Sequence, residues 1–408
     1  MRLTEALLRR AEAALTFDPS EERRALLDRT TVAVTDAATL RRRIAQALGE
    51  GSDAAQLAID RLVSGGDALN VSYLERGMIA ADAVGRIEVR NGESGLVGYG
   101  TGFMISPRLL LTNHHVLATA DDAAQSWLHF RYEYDALGRL LEPCVFALDP
   151  STFFFTDADL DATVVAVAPE TPDRRQHVSR FGWLRLSTSA DTVVSGEWLT
   201  MVHHPDGRPK QVALRQNLLI NRDDRDLWYA TETAPASSGA PVFNDSWQVV
   251  GVHRLGAPAR DRAGDVLTTD GERWSAAGDE TRIVWRAGVA TRAHEILHAV
   301  ATVHGEHPLI AELLAESERD AAEAIVVPFG SGANGEASRR RIEHVDEGEA
   351  IAPPSTERHP FVATSNGDGA HGDHNGQQEA LTVTVPLRIT VRQGNGSGRA
   401  PALGVNLS

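Results

Sequence analysis

Between about residues 83 and 290 the chain passes through one short β-forming stretch after another, with no helical periodicity between them. "RLLLTN", "TVVAVA", "WLTMV", "QVALRQNLLI" and "WQVVGVHRLG" are rich in aliphatic and β-branched residues and are separated by turn residues. The run "AVGRIEVRNGESGLVGYGTGFMI" alternates and breaks at Asn91-Gly92, a hairpin signal. Strands that succeed one another without crossover helices pair antiparallel, so a mainly β fold of barrels or a sandwich is expected.

Helical patterns bracket this region. Leu3, Leu7, Ala11 and Leu15 recur at four-residue steps. Asp18 is a helix cap, Pro19 opens the first turn, and Glu21 stands three residues after the cap. Leu40, Ile44 and Leu48 form another stripe that Gly49 ends, and Ser52 opens "DAAQLAIDRLV". Residues 1–80 are therefore expected to form a small helical module, either a scaffold for the β-rich region or an interaction module. Residues 292–316 read as helix again. Residues 319–379 have the Gly, Ser, Asn, Asp, Glu and Arg content of a disordered linker. The tail, 380–408, contains one strand pattern at 381–391, with Leu381, Val383, Val385, Leu387, Ile389 and Val391 on one face and Pro386 on the other. That strand is expected to add to an open sheet edge, on the barrel or on a partner protein.

A length of 408 residues fits two or three units. The net charge of −16 argues against a nucleic-acid partner, which needs a basic face. A single cysteine, Cys144, leaves no internal disulfide and favours the cytoplasm. The N-terminus is a poor secretory signal, and no run approaches the roughly 18 apolar residues of a membrane span.

Three segments carry the chemistry: "LLLTNHHVL", "DADLDATVVAV" and "TETAPASSGAPVFNDSWQVVGVHRLG". Acyl-transfer hydrolysis needs a hydroxyl nucleophile, a histidine to take its proton and a carboxylate to orient that histidine. The chain offers them in the order His, Asp, Ser. His114 competes with His115, Asp157 and Asp159 with Asp161, and Ser237 with Ser238. Gly239 permits a tight backbone path beside the hydroxyl, and the N–H groups of Ala236 and Ser238 are expected to face one point where an oxyanion would form.

The pieces "GTGFMIS", "LTNHHV", "DLDATVVAV", "SSGAPVFN" and "VVGVH", in order over roughly residues 83 to 300, resemble the chymotrypsin-like (trypsin-fold) serine peptidases, most closely the bacterial glutamyl endopeptidases. The resemblance implies a double six-stranded antiparallel β-barrel within residues 81–318: barrel 1 at about 83–175, barrel 2 at about 176–291, and a C-terminal helix at 292–316. It implies His115 as base, Asp161 as orienting acid, Ser238 as nucleophile, a protein or peptide substrate, and no cofactor. Two departures stand out. The family usually has glycine at Ala236, and Ser237 replaces the aspartate that receives a freed N-terminus, so activation by N-terminal insertion is not expected. For the pocket, His253 and Thr233 match residues that receive Glu or Asp before the scissile bond. Glu232 lies where a trypsin-like pocket keeps its carboxylate for Arg or Lys, so the opposite preference stays open. A catalytically latent peptide-binding protein on the same fold is one alternative, and a zinc-dependent hydrolase using "HEILH" at 294–298 is the other.

A rival site lies at "HEILHAVATVH", which satisfies H-E-x-x-H with His304 ten residues after His294. On a helix His294 and His298 share a face and Glu295 is the candidate base. Ala301 stands where the longer zinc pattern needs a helix-breaking glycine, and without a break His304 is rotated by about 280° from His294. A structural helix closing the second barrel fits these residues better, and no metal ligand is assigned.

Overall fold

Apolar residues at every second position give a strand one buried face, and a chain of such strands must curl to cover it. The computed structural model describes residues 9, 17–27, 71–92, 95–190, 192–230, 237–275, 282–318 and 325–326. The chain divides into two units, Met1–Glu347 and Gly348–Ser408, and all described residues belong to the first.

The first sheet contains β1 (Val84–Asn91), β2 (Gly95–Met104), β3 (Leu109–Thr112), β4 (Trp127–Phe130), β5 (Cys144–Ala147), β6 (Phe154–Asp157) and β7 (Ala162–Ala166). Their order is β5-β4-β1-β2-β3-β7-β6, antiparallel throughout. The Asn91-Gly92 hairpin joins β1 to β2, with Asn91 opposite Gly95. The sheet curls until the chain after β5 meets the chain after β7: Leu148 bridges Val167, and the Ala168 N–H donates to the Ala147 carbonyl at 2.9 Å. Its interior holds Ile87, Met104, Leu110, Leu128, Phe130 and Phe146, with Phe181 stacked on Phe130 at 4.3 Å between ring centres.

After a short β8 (Trp183–Leu184), the second barrel closes from β9 (Trp198–His203), β10 (Gln211–Arg222), β11 (Asp226–Ala230), β12 (Pro241–Phe243), β13 (Val249–Pro258) and β14 (Trp285–Arg292), in the order β10-β11-β14-β13-β12-β9. Leu199, Met201, Leu219, Leu227, Tyr229, Val242 and Val250 fill it. A side chain at Gly288 would collide with the Tyr229 ring at 2.3 Å, so glycine there makes room for the largest interior residue. Two antiparallel barrels in tandem are the chymotrypsin-like architecture. The first departs from a plain six-stranded barrel in that a further strand, β6, also pairs with β7.

A shared core joins the two sheets. Phe103, Leu111 and Val164 from the first meet Phe243 and Val252 from the second, and Ile296, Leu297, Ile310 and Leu313 cover them. The last four come from the helices Ala293–His304 and Pro308–Ser317. In the first of these, Ala293, Ile296, Leu297 and Val300 are buried at helical spacing.

Asp18 caps the helix Pro19–Leu27, its carboxylate accepting the Ser20 N–H at 2.8 Å. Phe17 packs edge-on against Trp228 of the second barrel. The helix Ser72–Asp82 lays Tyr73 on Trp247 and presses Gly77 against the same indole. The patterns read at 1–16 and at 40–66 lie outside the described residues, as does the strand pattern at 381–391. Within the stretch read as a linker, Ile325–Val326 form a two-residue strand, β15, antiparallel to β8. Among the described residues no helix is long and apolar enough to cross a membrane.

Candidate active site

β3 ends at Thr112, and the chain turns tightly there: the Val116 and Leu117 N–H groups both donate to the Asn113 carbonyl. That turn carries His114 and His115. Asp161 stands at the foot of β7 with φ of 49°, a left-handed conformation uncommon for a residue with a side chain. The turn holds it there. The Asn113 amide donates to the Asp161 carbonyl at 2.8 Å, and the His115 N–H donates to Oδ1 at 3.0 Å. Oδ2 lies 2.7 Å from His115 Nδ1.

This pairing separates the candidates. His114 points its Nδ1 at the Thr156 hydroxyl, 2.8 Å away, and not at a carboxylate. Asp157 accepts the N–H groups of Asp159 and Leu160, which shapes the turn before β7. Burial pushes the Asp161 carboxyl upward, but the neighbouring His115 and its two hydrogen bonds outweigh that, and the net shift is downward. The carboxylate therefore accepts from Nδ1–H, and in that tautomer Nε2 is the acceptor of the ring. Nε2 is buried and has no hydrogen-bond partner.

Ser238 lies in the turn before β12. Gly239 has φ of 86°, and an added side chain would meet the Thr101 carbonyl oxygen at 2.0 Å and the Thr112 hydroxyl at 2.4 Å. Only glycine fits there, and the fit brings the serine turn against the end of β3, from which the histidine turn leaves. The Gly239 N–H donates to the His253 carbonyl and the His253 N–H to the Ala240 carbonyl, both at 2.9 Å. The Ser238 hydroxyl, half-buried, donates to the Arg254 carbonyl at 3.0 Å. It does not reach His115 Nε2, so an attack through that nitrogen requires the hydroxyl to change acceptor.

Behind this turn lies a buried histidine group. His253 has its Nδ1 at the Tyr229 hydroxyl, and His203 has its Nδ1 at the Ser237 hydroxyl. Burial, then the nearby His203, His115 and Arg254, lower His253 to about 3, and burial lowers His203 to about 4. Both rings are neutral near pH 7. Burial raises the Tyr229 phenol, which stays protonated. Arg254 pairs with Asp226 at 2.6 Å.

His203 and Tyr229 carry no local signal. His203 reads as a strand end before the turn at Pro205–Gly207, which is its place in β9, yet its partner is 34 positions away. Ala236, Thr233 and Glu232 lie outside the described residues.

The H-E-x-x-H segment forms one unbroken helix, Ala293–His304. His294 contacts its neighbour Glu295 at 3.2 Å, while His304 packs against Phe153 and Phe155. Among the described residues no three His, Cys, Asp or Glu side chains gather as a metal site requires.

The family model of the trypsin-like peptidase domain matches residues 100–252, a span that includes His115, Asp161 and Ser238. The uncharacterized protein y4fB of Sinorhizobium fredii is 44% identical over 204 residues, covering 48% of this chain and 31% of that protein. The chain thus spans about a third of that relative's length. Among solved structures, the active form of the Rv3671c protease from M. tuberculosis is 18% identical, with a TM-score of 0.34, covering 56% of this chain and 83% of that one. The inactive form is 17% identical, with a TM-score of 0.33, covering 58% and 98%.

Proposed function

We propose that this chain, with a trypsin-like peptidase domain matched over residues 100–252, is a serine endopeptidase acting through His115, Asp161 and Ser238. The observation that carries the reading is the His115–Asp161 pair, with the opposite imidazole nitrogen buried and unpartnered. A buried acceptor without a donor is costly, and a serine proton supplied to it removes that cost. In the reaction Ser238 Oγ bonds to the peptide carbonyl carbon as its proton passes to His115 Nε2. Asp161 stabilises the resulting imidazolium. The oxyanion receives the Ala236 and Ser238 N–H groups, and His115 returns the proton to the leaving amine. Water then releases the acyl group by the same steps.

For specificity, we favour Glu or Asp before the scissile bond. His253 is neutral and held at Nδ1 by a phenol, and a donor fixed in a dry site recognises a carboxylate well. Glu232 is the residue on which the opposite preference, for Arg or Lys, rests. A latent peptide-binding protein is the second reading, and the Ser238 hydroxyl bound to the Arg254 carbonyl is the observation that favours it.

Cleavage of a peptide library by wild type beside Ser238→Ala separates these readings. The proposal expects cleavage after acidic residues that Ser238→Ala lacks. Cleavage after Arg or Lys, suppressed by Glu232→Gln, reverses the specificity. Binding without cleavage in both proteins establishes the latent form.

A further inference from the structure

We infer that Thr112 is a positioning residue that sets His115 against Ser238 through the backbone of Thr101; the inference rests on the serine-peptidase reading. The β2–β3 ladder ends at Phe103 opposite Leu111. Beyond that pair the strands part, and the N–H and C=O of Thr101 on that edge need other partners. The N–H donates to the Ser238 carbonyl at 2.9 Å. The C=O accepts the Thr112 hydroxyl at 2.7 Å. The Thr101 hydroxyl accepts the His204 N–H at 3.0 Å, which ties in the end of β9. Both threonines are fully buried.

Thr101 therefore touches the serine turn, the end of β3 that leads to His115, and the residue after β9. Thr101 holds the serine turn directly, and Thr112 ends β3 three residues before His115. Gly239 closes the cluster, since its backbone lies against both the Thr101 carbonyl and the Thr112 hydroxyl. The serine comes from the second barrel and the histidine and aspartate from the first, so their alignment depends on such a crossing contact. Valine at 112 keeps the shape of threonine and removes the hydroxyl, which leaves the Thr101 carbonyl unpartnered and the end of β3 free to shift. A small displacement of reacting groups has a large effect on rate, up to roughly a hundredfold for 1 Å.

The test compares wild type, Thr112→Val and Thr112→Ser. One readout is the rate of labelling by a fluorophosphonate. The other is the proton NMR signal of His115 Nδ1–H, which needs no turnover. The inference expects labelling slowed by roughly tenfold to a hundredfold in Thr112→Val, a shifted or broadened His115 signal, and recovery of both in Thr112→Ser. If Thr112→Val does not fold, Thr112→Ala normalised to its folded fraction takes its place. An unchanged His115 signal in the hydroxyl-free variant overturns the inference, whatever the labelling shows. So does equal disturbance in Thr112→Ser. Wild type that never labels, with Thr112→Val still shifting the signal, refutes the peptidase reading and leaves the positioning contact standing.

Discussion

His115 gives its Nδ1–H to Asp161 and keeps Nε2 unbonded, so the ring has one nitrogen left with which to take a proton. Removing any member of such a unit is expected to be severe. Ser238→Ala and His115→Ala should each lower kcat by on the order of 10⁴ to 10⁶ while leaving the protein folded. His114→Ala, which loses only the contact to Thr156, should cost little. A dead His114→Ala beside an active His115→Ala would show the roles to be exchanged. At the pocket, His253→Ala should selectively reduce cleavage after Glu in a peptide library. His115, Asp161 and Ser238 stand out as candidates in the chain because each lies within three residues of a strand end and has a distinctive neighbour, such as Gly239 after Ser238. His203, Tyr229 and Thr101 do not, because their roles arise from partners 34, 24 and 137 positions away (238 − 101 = 137 for the last).

At the scale of elements, the helix Ala293–His304 shows how a motif and a packing pattern can share one stretch. Ala293, Ile296, Leu297 and Val300 form its buried stripe, and the H-E-x-x-H residues fall between and beside them. Ile296 is fully buried in the core shared by the two sheets. Ile296→Ala should therefore destabilise the protein by about 2–5 kcal/mol in urea denaturation, with labelling per folded molecule unchanged. A loss below about 1 kcal/mol would mean that the helix does not close this core. His294→Ala should leave activity and its resistance to chelators as in wild type; activity lost together with stoichiometric zinc would contradict this. Strands and the Asn91-Gly92 hairpin were legible because alternation and turn chemistry are local. The seventh strand of the first sheet was not, since "FFTD" has no alternation and gains its place only from its pairing with β7.

For the molecule as a whole, buried neutral histidines set an acid limit. His129 and His203 are each lowered to about 4, and His253 to about 3, with burial the main cause in all three. Unfolded histidine titrates near 6.5, so below that pH the unfolded chain binds protons that the folded chain refuses. The stability these rings contribute is present above about pH 6.5 and is lost as pH falls toward 4. The slope approaches about 1.4 kcal/mol per pH unit for each histidine. Urea midpoints at pH 7 and pH 5 should fall accordingly for wild type and less for the double variant His129→Gln/His203→Gln. Equal falls would show that these rings are not the source.

Whether Ser238 is an activated nucleophile is decided by treating the intact protein with a fluorophosphonate and locating the adduct by peptide mass spectrometry. One adduct is expected, on Ser238, absent from Ser238→Ala and slowed by His115→Ala. An unlabelled wild type, or an adduct on another residue that Ser238→Ala retains, would contradict it.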